Sequence, residues 1–189
     1  MTMHGVLERK DMQAVAGTGL GLRVTEDHGI EGYASLFGKR DQGGDVVLKG
    51  AYAASLKRLA AGGRAVKMLW QHDPAQPIGI WDEVREDATG LLVKGRLLRD
   101  VAKGREAAAL LAAGAIDGLS IGYRTVRAER DGKGQRLLQE LELWEVSLVT
   151  FPMLPEARVA AKGDLPEAEI WRSLAQALTE AAEAMAGRP

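Results

Sequence analysis

The sequence predicts a mainly β protein of the α+β class: an antiparallel β-sheet or β-barrel surrounded by helices, followed by a C-terminal helix. Three observations carry this. Strand-length runs with period-two alternation, about eight of them, recur between Gly- and Asp-containing turns. Only two stretches among them, 52–61 and 101–113, carry a helical period. Finally, 119–129 and 135–150 flank Asp131-Gly132-Lys133-Gly134, the composition of a hairpin turn.

Taken in order, residues 1–18 are mixed in character and form an N-terminal extension. Residues 19–162 form one domain, and 163–189 a tail. The stretch 20–25 alternates as a half-buried strand should, and Asp27-His28-Gly29 turns it into a second strand at 30–37. Gly38 to Asp45 is a polar, glycine-rich loop, suited to a mobile surface segment near a site. Tyr52, Leu56 and Leu59 share a helical face that Gly62-Gly63 ends. In the strand 66–71, Val66, Met68 and Trp70 fall on one face, so His72 is predicted to end an inward-pointing row that Pro74 breaks. Strands at 78–85 and 91–98 follow, joined by Asp87-Ala88-Thr89-Gly90. The Ala/Leu-rich helix 101–113 is closed by Gly114. After the hairpin, Pro152 and Pro155 stop the last strand. Ile170, Leu174, Leu178, Ala181 and Met185 form the apolar stripe of an amphipathic tail helix.

Composition narrows the chemistry. The 189 residues are 46% apolar, enough for a core, and the net charge of −1 gives no reason to expect nucleic acid or an anionic membrane as partner. There is no cysteine, which removes disulfides, thiol nucleophiles and thiolate metal sites. No run approaches the roughly 18 apolar residues of a membrane span, and the first residues lack an apolar signal core, so a soluble cytoplasmic protein is expected. Of three histidines, His4, His28 and His72, only the last adjoins a strongly apolar segment.

Ser120 lies between two glycines at the start of a strand, in Gly118-Leu119-Ser120-Ile121-Gly122. The pattern matches the nucleophile elbow of α/β-hydrolases, but that elbow precedes a helix and has its histidine downstream. Here a strand follows, and no histidine lies beyond position 72, so the match is accidental. A serine hydrolase with His72 as base and Ser120 as nucleophile remains, needing a third group to hold the imidazole. Asp82, Asp87, Asp100 and Asp117 are available for that task. Glu145 stands out because it shares the parity of Leu141, Leu143 and Val149, and a carboxylate on an apolar face is costly unless paired. A structural salt bridge to an arginine such as Arg124, or an edge position with the other parity buried, would account for it equally. With one usable histidine and no His-x-x-x-His spacing, a metal hydrolase is disfavoured, and no phosphate-binding loop is present.

Three segments in order, Leu69-Trp70-Gln71-His72-Asp73, Gly118 to Tyr123 and Glu145-Val146-Ser147-Leu148-Val149-Thr150-Phe151-Pro152, resemble the prohead maturation proteases of tailed bacteriophages. Gly32 to Phe37 and Gly44 to Ala51 fit the same family. The resemblance implies the fold of the herpesvirus assembly proteases, a β-barrel ringed by helices and often dimeric. It implies a serine endopeptidase without cofactor or metal, working inside the immature capsid in the host cytoplasm. Its substrates and partners would be scaffold and the major capsid protein, and then often itself. Neither nucleic acid nor membrane would be a partner. By motif, His72 is the base and Ser120 the nucleophile. The herpesvirus enzymes use a second histidine as third member. This chain has Glu145 in the comparable stretch. Oxyanion donors would be backbone N–H groups, with Gly122 and Arg124 as candidates, since Arg124 lies four residues beyond Ser120 on the same strand face. The tail helix would pack on the core, mediate a dimer or guide the protease into the shell. The alternative is a capsid-assembly protein that kept the fold and lost activity.

Overall fold

The strand with the most partners is the last, and the sheet is assembled around it. The computed structural model describes residues 23–24 and 29–157. The expected extension 1–18, the turn at His28 and the tail 163–189 lie outside the described residues. Strands β1 (Arg23–Val24), β2 (Gly29–Leu36) and β3 (Asp45–Val47) precede helix α1 (Ala53–Ala61). Strands β4 (Lys67–Trp70), β5 (Asp73–Glu86) and β6 (Gly90–Leu97) lead to helix α2 (Ala102–Ala112). The hairpin of β7 (Gly118–Arg130) and β8 (Arg136–Val149) completes the sheet.

The eight strands form one curled sheet in the order β1-β2-β6-β5-β4-β8, with β7 on one edge of β8 and β3 sharing the other edge with β4. β3 pairs with the first residues of β8 and β4 with the last, and both pairings are parallel. The expected antiparallel barrel is therefore corrected to a mixed sheet that is mostly antiparallel. The reason is that α1 carries the chain from β3 to β4 as a crossover, which returns it in the same direction. The curl brings β2 near β7, and no ladder joins those two strands among the described residues.

The core fills the inside of this curl. Ile30, Met68, Ile78, Leu91, Val93, Leu119, Leu138, Leu141 and Leu148 are each at most 1% exposed. The Trp81 indole N–H donates to the Val146 carbonyl at 3.2 Å, which satisfies its polar edge inside the core. Helix α1 docks on β8 through buried Ser55, whose hydroxyl accepts the Leu143 N–H at 2.9 Å. Helix α2 presents Gly104, Ala107 and Leu111 to the sheet. At Gly104 a Cβ would overlap the carbonyls of Leu98 and Ile78, so only glycine permits this approach.

Two local features depart from simple alternation. Pro74 and Pro77 do not break a strand but lie within β5. The β5–β6 ladder begins at Gly79, beyond both prolines, so their missing N–H groups interrupt no pairing with β6. In β8 the ladder to β7 shifts between Glu145 and Leu143, so Trp144 is an extra residue. Before this bulge the core takes Leu141 and Leu143, and after it Val146 and Leu148. The parity of the inward face changes there.

Candidate active site

That bulge decides where Glu145 points. The sequence reading placed it on the face of Leu141 and Leu143. The extra residue turns it to the opposite face instead, away from the apolar core. Ser147, two residues on, shares its face. Across the antiparallel ladder Ser120 stands opposite Ser147, and Gly122 opposite Glu145. Residues paired in this way project from the same side, with Cβ atoms roughly 5 Å apart. Ser120 and Glu145 are both buried, at 4% and 7% exposure.

His72 reaches the same face by a turn rather than by strand alternation. β4 ends at Trp70, and Trp70 pairs with Asp73, so Gln71 and His72 form a two-residue hairpin loop. Both have positive φ, 53° and 61°, the signature of a type I′ turn usually made with Asn-Gly. The expected inward row therefore stops at Trp70. The strained turn is held down from outside. Gln71 N–H donates to the Leu148 carbonyl at 2.9 Å, and the Gln71 side-chain amide donates to Thr150 Oγ1 at 2.7 Å. His72 N–H donates to Ser147 Oγ at 3.2 Å.

The imidazole then meets the carboxylate. His72 Nδ1 lies 2.5 Å from Glu145 Oε1. A glutamate carboxylate only accepts, so Nδ1 carries the proton and Nε2 is left with its lone pair. Ser147 donates its O–H to the other carboxylate oxygen, Oε2, at 2.5 Å. Gly122 makes room for this carboxylate: a Cβ there would overlap Glu145 Oε1.

The structure thus brings His72, Glu145 and the strand position of Ser120 together around Ser147. Arg124 stays apart from them. Its guanidinium is two-thirds exposed and bonds Glu142 through Nε at 2.8 Å and Nη2 at 2.6 Å. The salt bridge weighed for Glu145 is thus made by its neighbour Glu142, whose carboxyl Arg124 holds below the usual range. Of the alternative aspartates, Asp82 pairs with exposed Arg96 and Asp87 caps a turn. Sequence reasoning missed Ser147. Its only sequence signal is a polar residue in an otherwise apolar strand, two positions from Glu145.

The glycine-rich loop borders a cleft beside the first residues of β7. Asp41 and Asp45 line it with Leu36, Leu119, Ser120 and Tyr123. The loop is pinned rather than loose: Asp45 N–H donates to Asp41 Oδ1 at 2.8 Å, and Gln42 N–H to the Met153 carbonyl at 3.0 Å. Burial raises the Asp41 carboxyl above its ordinary range, against the pull of the Asp45 N–H. Among the described residues no group of three or more His, Asp or Glu side chains is placed to hold a metal ion, and no helix is long and apolar enough to cross a membrane.

Comparison with known proteins bears on the family. Residues 20–168 match the family model described as caudovirus prohead serine protease. Over 137 residues the chain is 32% identical to the prohead protease of Enterobacteria phage HK97. That match covers 70% of this chain and 59% of the relative, so the chain spans less than two thirds of that relative's length. Among solved structures it is similar to the bacteriophage T4 capsid assembly protease, with a TM-score of 0.51 and 18% identity, covering 64% of this chain and 82% of that one. At that identity the likeness concerns the fold.

Proposed function

Because this chain belongs to the caudovirus prohead serine protease family, we propose that it is a serine endopeptidase of capsid maturation, with Ser120 as nucleophile, His72 as general base and Glu145 as the orienting acid. The observation that carries the reading is the 2.5 Å contact between His72 Nδ1 and Glu145 Oε1, on the strand face that also carries buried Ser120.

In this mechanism Ser120 Oγ attacks the scissile carbonyl while its proton passes to His72 Nε2. Glu145 keeps the proton on Nδ1 beforehand and stabilises the imidazolium afterwards. As the tetrahedral intermediate collapses, His72 returns the proton to the leaving amine. Water then enters by the same route and releases the acyl group. The oxyanion would be met by backbone N–H groups beside Ser120, with that of Gly122 a candidate. Arg124 could assist only by leaving Glu142.

By analogy with the two capsid proteases above, the substrates are the major capsid protein and scaffold. The site of action is then the immature capsid in the host cytoplasm, with self-cleavage and homodimerisation as further properties. No cofactor enters the scheme. Co-expression with the capsid protein and scaffold of the same particle tests it. Wild-type protein should shorten them, and Ser120→Ala should leave every substrate intact while keeping the thermal midpoint. A fluorophosphonate should label wild-type protein at Ser120. Processing by Ser120→Ala would overturn the assignment, and an unprocessed, unlabelled wild type would favour an assembly protein that has lost activity.

A further inference from the structure

We propose that Ser147 is the positioning residue that locks the imidazole of His72 to the carboxylate of Glu145. The inference rests on the proposed serine-protease reading and adds a fourth member to it. The Ser147 hydroxyl is 0% exposed. It accepts the His72 backbone N–H at 3.2 Å and donates to Glu145 Oε2 at 2.5 Å, while Glu145 Oε1 accepts from His72 Nδ1 at 2.5 Å. These three hydrogen bonds close a ring. It runs from the backbone of residue 72 through Ser147 and Glu145 and back to the side chain of residue 72.

A closed ring does what two separate contacts do not. His72 sits at φ 61°, a conformation unfavourable to a non-glycine residue that persists only when its surroundings enforce it. Ser147 bonds the strained backbone and, through the same oxygen, fixes the carboxylate that aims the ring. Backbone placement and ring orientation are thereby set by one side chain. Without it Glu145 could rotate about its side-chain bonds, and the His72 N–H would lose its acceptor.

The same geometry says which of the two facing serines attacks. Ser147 has one proton, and it is committed to Glu145. Its oxygen also accepts the His72 N–H, and the residue is 0% exposed. Ser120, paired with it across the ladder, lies outside the ring.

The test uses the full chain and a fluorophosphonate probe, following the second-order rate of Ser120 labelling alongside the thermal midpoint. Ser147→Cys keeps the volume but replaces a strong donor and acceptor with a weak one. Ser147→Ala removes both, and Ser147→Thr keeps the hydroxyl. The Ala and Cys variants should label about 10–100-fold more slowly, by analogy with loss of the group that orients a metal-bound histidine. The Thr variant should recover most of that loss, and Cys should keep a near-native midpoint. If Cys labels at the wild-type rate, Ser147 only fills space and the inference is overturned, while the protease reading stands. If the wild type itself does not label, both fall together.

Discussion

Gly122 illustrates how a missing atom shapes the site. It faces Glu145 across the ladder, and any side chain there would occupy the space of the carboxylate. Its φ is not in the left-handed region, so the requirement is for room and not for conformational freedom. Gly122→Ala should therefore push Glu145 off His72. We expect a destabilisation of about 1–3 kcal/mol, typical of overpacking, together with a loss of labelling at Ser120 far larger than the unfolded fraction explains. Urea denaturation and labelling rate measured on one preparation would check this. Activity falling only in proportion to stability would mean that the carboxylate is not needed where it sits.

Among the elements, the two that aim the site are irregular: the Trp144 bulge and the Gln71-His72 turn. Each reverses the face that simple alternation assigns. Another turn, between β5 and β6, is held by Asp87, whose Oδ1 accepts from Thr89 N–H at 2.7 Å and Gly90 N–H at 3.0 Å and whose Oδ2 accepts from Tyr33 O–H at 2.6 Å. Burial works against the Asp87 charge. The Tyr33 hydroxyl, the two N–H groups and Arg85 outweigh it, and the carboxyl is held below the usual range. Its folded value thus lies under its unfolded value of about 3.9. The stability it contributes is complete above about pH 4 and is lost as pH falls through the lower folded value. Asp87→Asn should lower the urea midpoint at pH 6, and its difference from wild type should shrink towards pH 2. Curves that stay parallel over that range would show that Asp87 does not titrate with folding.

For the whole molecule, β8 is the strand on which most of the sheet depends. It carries ladders to β3, β4 and β7, receives α1, and supplies Leu138, Leu141, Leu143, Val146 and Leu148, each at most 1% exposed. The catalytic proposal draws two of its groups from the outer face of this strand, so rigidity there comes from the packing underneath. Leu141→Ala should cost about 2–5 kcal/mol, read as a drop in urea midpoint of one cooperative transition. The folded fraction should still label at Ser120, because Leu141 lies on the core side of the bulge. A second, earlier transition confined to part of the sheet would show that the molecule does not unfold as one unit around β8.

Local pattern was enough for most of the element list: the described strands and both helices fall within a few residues of their expected places, except that β5 begins at Asp73 rather than Ile78, and the 119–150 hairpin is present. Local periodicity and turn chemistry suffice for that, because each depends on residues near in the chain. Only β3, three residues long and hidden in a polar loop, was too short to show a period. The sequence also marked Ser120, His72 and Glu145 one at a time, as a serine between glycines, a lone usable histidine and an acid in an apolar strand. Tertiary structure alone decided the parallel pairings of β3 and β4, because no local pattern states which strand will lie alongside. It decided the faces of His72 and Glu145 as well. One extra residue in a ladder, and two residues at positive φ, reverse a side chain's direction without changing the amino-acid pattern that predicted it. Ser147 became visible only once those reversals had brought His72 and Glu145 to either side of its hydroxyl.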